Sequence, residues 1–79
     1  MRLDKYLKVS RIIKRRTVAA EACEQGKVML NGKVAKPSAT VKEGDMLEIT
    51  FGERVFKAEI LSIQEHVLKG DASALYRQM

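Results

Sequence analysis

The residues best equipped for chemistry crowd into Ser10–Thr17, SRIIKRRT, where Arg11, Lys14, Arg15 and Arg16 stand together with no acid among them. The chemistry they suit is the holding of an anion, because guanidinium and ammonium groups make charge-assisted hydrogen bonds to phosphate oxygens. Thr17 is a residue type that caps helices, and the first backbone N–H groups of a helix are unpaired and carry partial positive charge. Cations packed just ahead of such a terminus repel it and one another unless an outside anion completes the arrangement. Ile12 and Ile13 supply the other half of the device: at least one can anchor the segment in the core and hold its charged neighbours outside.

Further cations can join this surface. Arg2, Lys5 and Lys8 recur every three residues, and Lys27, Lys33 and Lys36 flank a second turn. Up to residue 36 the chain holds ten Lys or Arg against three acids, a net +7, whereas residues 37–79 hold five against seven, a net −2. Such polarisation costs self-repulsion and commonly serves a polyanion. With about five phosphates neutralised, affinity should fall on the order of 100-fold for a fourfold rise in salt. Ser10, Thr17, Gln25 and Asn31 add neutral hydrogen-bonding groups, and neither expected helix is a long major-groove reader, which favours structured RNA over DNA. Only Tyr6, Phe51, Phe56 and Tyr76 are aromatic, and several belong in a core, which disfavours reading single strands by stacking.

Other chemistries find little support. A chain of 79 residues buries only about 60% of its unfolded surface, leaving no room for an elaborate active site. Cys23, the single cysteine, reads as a small core residue and fits a reducing compartment. It stands 43 positions from His66, a surface residue by its context, so the two make no metal motif. Glu48, Glu53 and Glu59 read as solvent-facing strand residues rather than an acid–base pair. The expectation is a protein that is not an enzyme and that needs no cofactor, catalytic residue or metal. No apolar run approaches the roughly 18 residues of a membrane span. MRLDKYLK lacks the uninterrupted apolar stretch of a signal peptide. A soluble, cytoplasmic protein without membrane contact is expected.

These groups must be positioned by a small α+β fold. Leu3, Tyr6 and Leu7 share one face at i, i+3, i+4 spacing, predicting a helix over Leu3–Val9 with Asp4 favouring its dipole. A second helix is predicted from Val18 to Gln25, capped by Thr17 and ended by Gly26. Val28 and Leu30 then alternate with polar neighbours, and Asn31-Gly32 predicts a tight type I′ hairpin leading into residues 33–35. Residues 36–40 form a loop around Pro37. Two further strands are predicted, Met46–Phe51 and Arg54–Ile63, the second placing Val55, Ala58 and Ile60 in competition for the inside, with a bulge or an end near Leu61. Residues 1–63 make one domain, and 64–79 a short tail of one or two helical turns capped by Asp71, whose Leu75 and Tyr76 dock on the sheet or anchor a partner.

The run from RLDKYL through SR, KRRT, QGKVMLNG, KPS and GDMLEI, spanning about residues 1–51, resembles the alpha-L RNA-binding domain of the ribosomal S-four type. The resemblance implies two N-terminal helices on a small, mostly antiparallel sheet whose basic face binds structured RNA. Carried over by position, Arg2, Lys14, Arg15 and Arg16 are the leading contacts. Lys5, Arg11, Lys27, Asn31, Lys33 and Lys36 support them, with Lys8, Ser10 and Thr17 completing the surface, while Gly26, Gly32 and Gly44 match turn positions. Among stand-alone members the chain is more similar to those of ribosome-associated quality control than to the heat-shock type, which usually carries a further basic C-terminal extension. That likeness implies a monomer that binds the large ribosomal subunit, touching its ribosomal RNA and a peptidyl-transfer RNA, and that works with a tailing factor adding C-terminal alanines. The alternatives are a heat-shock-type factor that recycles stalled large subunits and, from another class, a protein-interaction adaptor working through the acidic half.

Overall fold

The computed structural model describes the backbone of residues 1–79 and every side chain except that of residue 69. Helix α1 (Leu3–Val9) forms as its apolar spacing requires, with Leu3, Tyr6 and Leu7 completely buried. Its first amides are satisfied from outside: Leu3 N–H donates to the Ala39 carbonyl at 2.7 Å and Asp4 N–H to that of Pro37 at 3.1 Å. The 36–40 loop thus caps α1 with carbonyls, a task that a proline can perform.

The turn after α1 is held by Arg11 N–H on the Lys8 carbonyl and Ile13 N–H on that of Leu7, both at 3.1 Å, with Arg11 in the left-handed region at φ 61°. Ile13 is buried and Ile12 half-buried, the expected anchor for the charged residues beside them. Helix α2 (Arg16–Glu24) begins earlier than predicted, and Arg15, extended at φ −118°, occupies the cap position with no side-chain cap bond. Thr17 is therefore an exposed first-turn residue rather than the cap. The helix start follows from the buried stripe of Ala19 and Cys23 that packs under α1, and packing outweighs a cap preference of about 1 kcal/mol. Gly26 ends the helix at φ 75°, as predicted.

Strands β1 (Val28–Leu30) and β2 (Lys33–Val34) are joined through Asn31 and Gly32 at φ 52° and 83°, the two positive values a type I′ turn needs. β3 (Met46–Phe51), β4 (Arg54–Ile60) and β5 (Tyr76–Gln78) complete an antiparallel sheet in the order β2-β1-β3-β4-β5. Leu47, Ile49, Ala58 and Ile60 point inward to the helices. Val55 does not: the Phe51–Arg54 pair closes the β3–β4 turn, so Val55 lies opposite Thr50 on the outer face and is exposed. β4 ends at Ile60, where the change of phase was expected.

The tail departs further from expectation. Residues Lys69–Leu75 form a 3-10 helix, but Tyr76–Gln78 form β5 on the free edge of β4. Leu75 docks in the core, and its carbonyl accepts Tyr6 Oη at 2.8 Å, Leu61 N–H at 2.9 Å and Ser62 N–H at 3.1 Å. Burial raises the Tyr6 phenol far above its ordinary value and keeps it a donor. Tyr76 packs edge-to-face on Phe56 with ring centroids 5.9 Å apart. The result is the α+β architecture read from the sequence, two helices on a small antiparallel sheet.

Candidate nucleic-acid interface

The centre of the basic face is an acid. Asp4 is only 4% exposed, and its carboxylate accepts Arg2 Nε at 3.2 Å, Arg2 Nη2 at 3.1 Å, Arg16 Nη2 at 3.4 Å and its neighbour Lys5 N–H at 2.7 Å. Burial works to raise the Asp4 pKa, but the Arg2 bonds, the Lys5 amide and Arg16 outweigh it, and the net shift is downward. One carboxylate between two guanidiniums leaves a surplus positive charge and holds side by side two groups that would otherwise repel. Arg2 and Arg16 remain 53% and 47% exposed, and each guanidinium has five N–H donors, so both keep donors for an external phosphate.

The sign of the pH effect follows. A carboxyl whose native pKa lies below its ordinary 3.8 stabilises the fold fully above that value, and the contribution is lost as pH falls through the lower native one. Asp4→Asn should cost about 1–2 kcal/mol at pH 7, discounted because both arginines are half exposed, and clearly less near pH 3. It should also weaken RNA binding although it adds a positive charge. Urea unfolding at the two pH values and a binding titration check both outcomes.

The other expected contacts lie in separate neighbourhoods. Lys36 lines a groove with Arg2 over Val34, Ala35 and Pro37. Lys8 and Arg11 line a cleft with Glu65 and His66, and the Lys5 ammonium is paired with Glu65, whose carboxyl it pulls below its ordinary value. Lys27 borders a third cleft, between α2 and the β3–β4 turn. Lys14, Arg15 and Lys33 are exposed on their own segments and line none of these three. Among the described residues, Lys8, Arg11, Lys14, Arg15, Lys27, Lys33 and Lys36 enter no ion pair.

Two expected contacts are corrected by the packing. Ser10 is buried, its Oγ donating to the Leu7 carbonyl at 3.3 Å, so its hydroxyl closes the turn instead of facing a ligand. Asn31 spends its amide inside the protein, donating to Asp45 at 3.1 Å and accepting Met46 N–H at 2.9 Å, which locks the hairpin to β3. Thr17, displaced from the cap, stays accessible. Cys23 is a core residue whose thiol burial pushes up to about 11, leaving it protonated. The residue that sequence reasoning missed as part of the site is Asp4; the available signal was a lone acid set between Arg2 and Lys5 in an otherwise basic helix.

Among the described residues no helix is long and apolar enough to cross a membrane. The S4 domain model matches residues 1–47, more than half of the chain. An RQC P-site tRNA stabilizing factor of Halalkalibacterium halodurans is 58% identical over 76 residues, covering 96% of this chain and 86% of the relative. A heat shock protein 15 homolog of Aeromonas salmonicida is 34% identical over 65 residues, covering 82% of this chain and 49% of that protein. Among solved structures, the trimeric heat shock protein 15 of Vibrio cholerae superposes with a TM-score of 0.91 at 35% identity, covering all of this chain and 81% of that one. With its fold, its basic face and these relatives in agreement, the chain belongs to the S4 domain family, beside relatives named RQC P-site tRNA stabilizing factor.

Proposed function

We propose that the protein is a non-enzymatic cytoplasmic RNA-binding factor that settles on large ribosomal subunits obstructed by a stalled nascent chain. It contacts large-subunit ribosomal RNA and the peptidyl-transfer RNA together and holds that transfer RNA while a tailing factor supports the addition of C-terminal alanines. Peptide transfer belongs to the ribosome, and the protein contributes position and charge. The Arg2–Asp4–Arg16 trio carries the reading, because it presents two arranged guanidiniums at the start of α2, and the relative's name supplies the transfer RNA. Lys14, Arg15, Lys27, Lys33 and Lys36 add unpaired charge around it, with Lys5, Lys8, Arg11 and Thr17 at its margin. One copy carries the whole trio, so the reading takes the protein as a monomer.

Co-sedimentation with purified large subunits, with and without prior nuclease treatment, tests the proposal. Binding should disappear with the RNA and should fall steeply with salt. A protein-interaction adaptor would keep its partner after nuclease treatment, and that result would remove the RNA reading. The likeness to heat shock protein 15 favours a second reading, the recycling of stalled large subunits. Loss of alanine tails on stalled chains in cells lacking the protein separates the first reading from it.

A further inference from the structure

Phe51 is 48% exposed, whereas the ring of Tyr6 is buried and those of Phe56 and Tyr76 pack on each other. Strand alternation places Phe51 on the inner face with Leu47 and Ile49, at the last pair before the β3–β4 turn. There the cover of the helices ends and the ring is left half open. Across from it α2 presents Val18, itself 46% exposed, and Ala22, so that the cleft has an aromatic wall and an aliphatic one.

Its rim is polar. Glu21, Gln25, Lys27 and Thr50 line it, and Thr50 N–H donates to the Lys27 carbonyl at 2.9 Å, fixing the lysine backbone to β3. Arg54 is the cross-strand neighbour of Phe51, and Arg15 lies one helical turn before Val18. Three cations against one acid is the charge balance of a seat for phosphates. Within it, a half-open ring offers a stacking surface and Gln25 and Glu21 offer groups that pair with base edges. An apolar peptide would cover Phe51 and Val18 equally well but would leave the lysine, the glutamate and the amide to be desolvated without partners.

We propose that this cleft seats one unpaired base of the bound RNA, stacked on Phe51, with its flanking phosphates on Lys27 and Arg54. The inference rests on the RNA-binding reading above and adds a second kind of contact, away from the Arg2–Asp4–Arg16 trio. It is tested with the full chain by fluorescence anisotropy, using a labelled single-stranded RNA hexamer of mixed sequence and the same ribose-phosphate chain without bases. Phe51→Ala should weaken binding of the hexamer about tenfold, Phe51→Tyr should retain it, and neither should alter binding of the baseless chain. Equal affinity of the unsubstituted protein for both probes, or no change in hexamer binding by a folded Phe51→Ala variant, overturns the inference, as would a protein partner that depends on Phe51 after nuclease treatment. Arg16→Ala measured on large subunits in parallel separates the two ideas. A loss there with no effect at Phe51 removes the base seat alone, and no effect at either position removes the RNA reading as well.

Discussion

Arg16→Ala is expected to weaken binding to purified large ribosomal subunits by roughly 10- to 100-fold, about 1.5–3 kcal/mol, as the loss of a charge-assisted phosphate contact requires. The fold should survive, because Arg16 is about half exposed and Asp4 keeps its two bonds from Arg2 and the one from the Lys5 amide. Arg2→Ala should behave similarly. The double variant should not be additive, since the two side chains share one carboxylate and its removal from both leaves a buried charge with no side-chain partner. Its melting temperature should fall where those of the single variants barely move. Unchanged co-sedimentation of both single variants would defeat the assignment of this face.

The largest effect on stability is expected at Tyr6. Its ring is completely buried, and its hydroxyl reaches a carbonyl 69 residues away that also receives two backbone amides. Tyr6→Ala should cost about 3–5 kcal/mol, enough to leave so small a domain largely unfolded at 37 °C. Tyr6→Phe keeps the ring and removes one net hydrogen bond, so about 1 kcal/mol is expected. Urea unfolding followed by circular dichroism measures both, and a Tyr6→Ala protein with an unshifted midpoint would show that the tail is not fastened through this bond.

What could be read in the sequence was what local chemistry decides. The i, i+3, i+4 spacing of Leu3, Tyr6 and Leu7 marks α1, and Asn31-Gly32 marks its hairpin, because each signal is complete within a few residues. The cations of Lys14–Arg16 were legible as a cluster for the same reason. β5 was not, since Tyr76-Arg77-Gln78 has no pattern of its own and becomes a strand only because the edge of β4 offers it partners. Val55 was misplaced because its face depends on the register set by Gly52 and Glu53. Asp4 was legible as a residue favourable to the helix dipole, but its role in gathering Arg2 and Arg16 needs a contact across 12 positions that no local window contains.

The capping of α1 by the 36–40 loop has a practical consequence. Arg2 is bridged to Thr40 and the Met1 carbonyl accepts Val41 N–H at 3.0 Å, so any affinity handle or fluorophore fused ahead of Met1 would emerge beside the arginines it is meant to report on. Met79 follows β5, at the sheet edge opposite β2. Labels for the experiments above belong there.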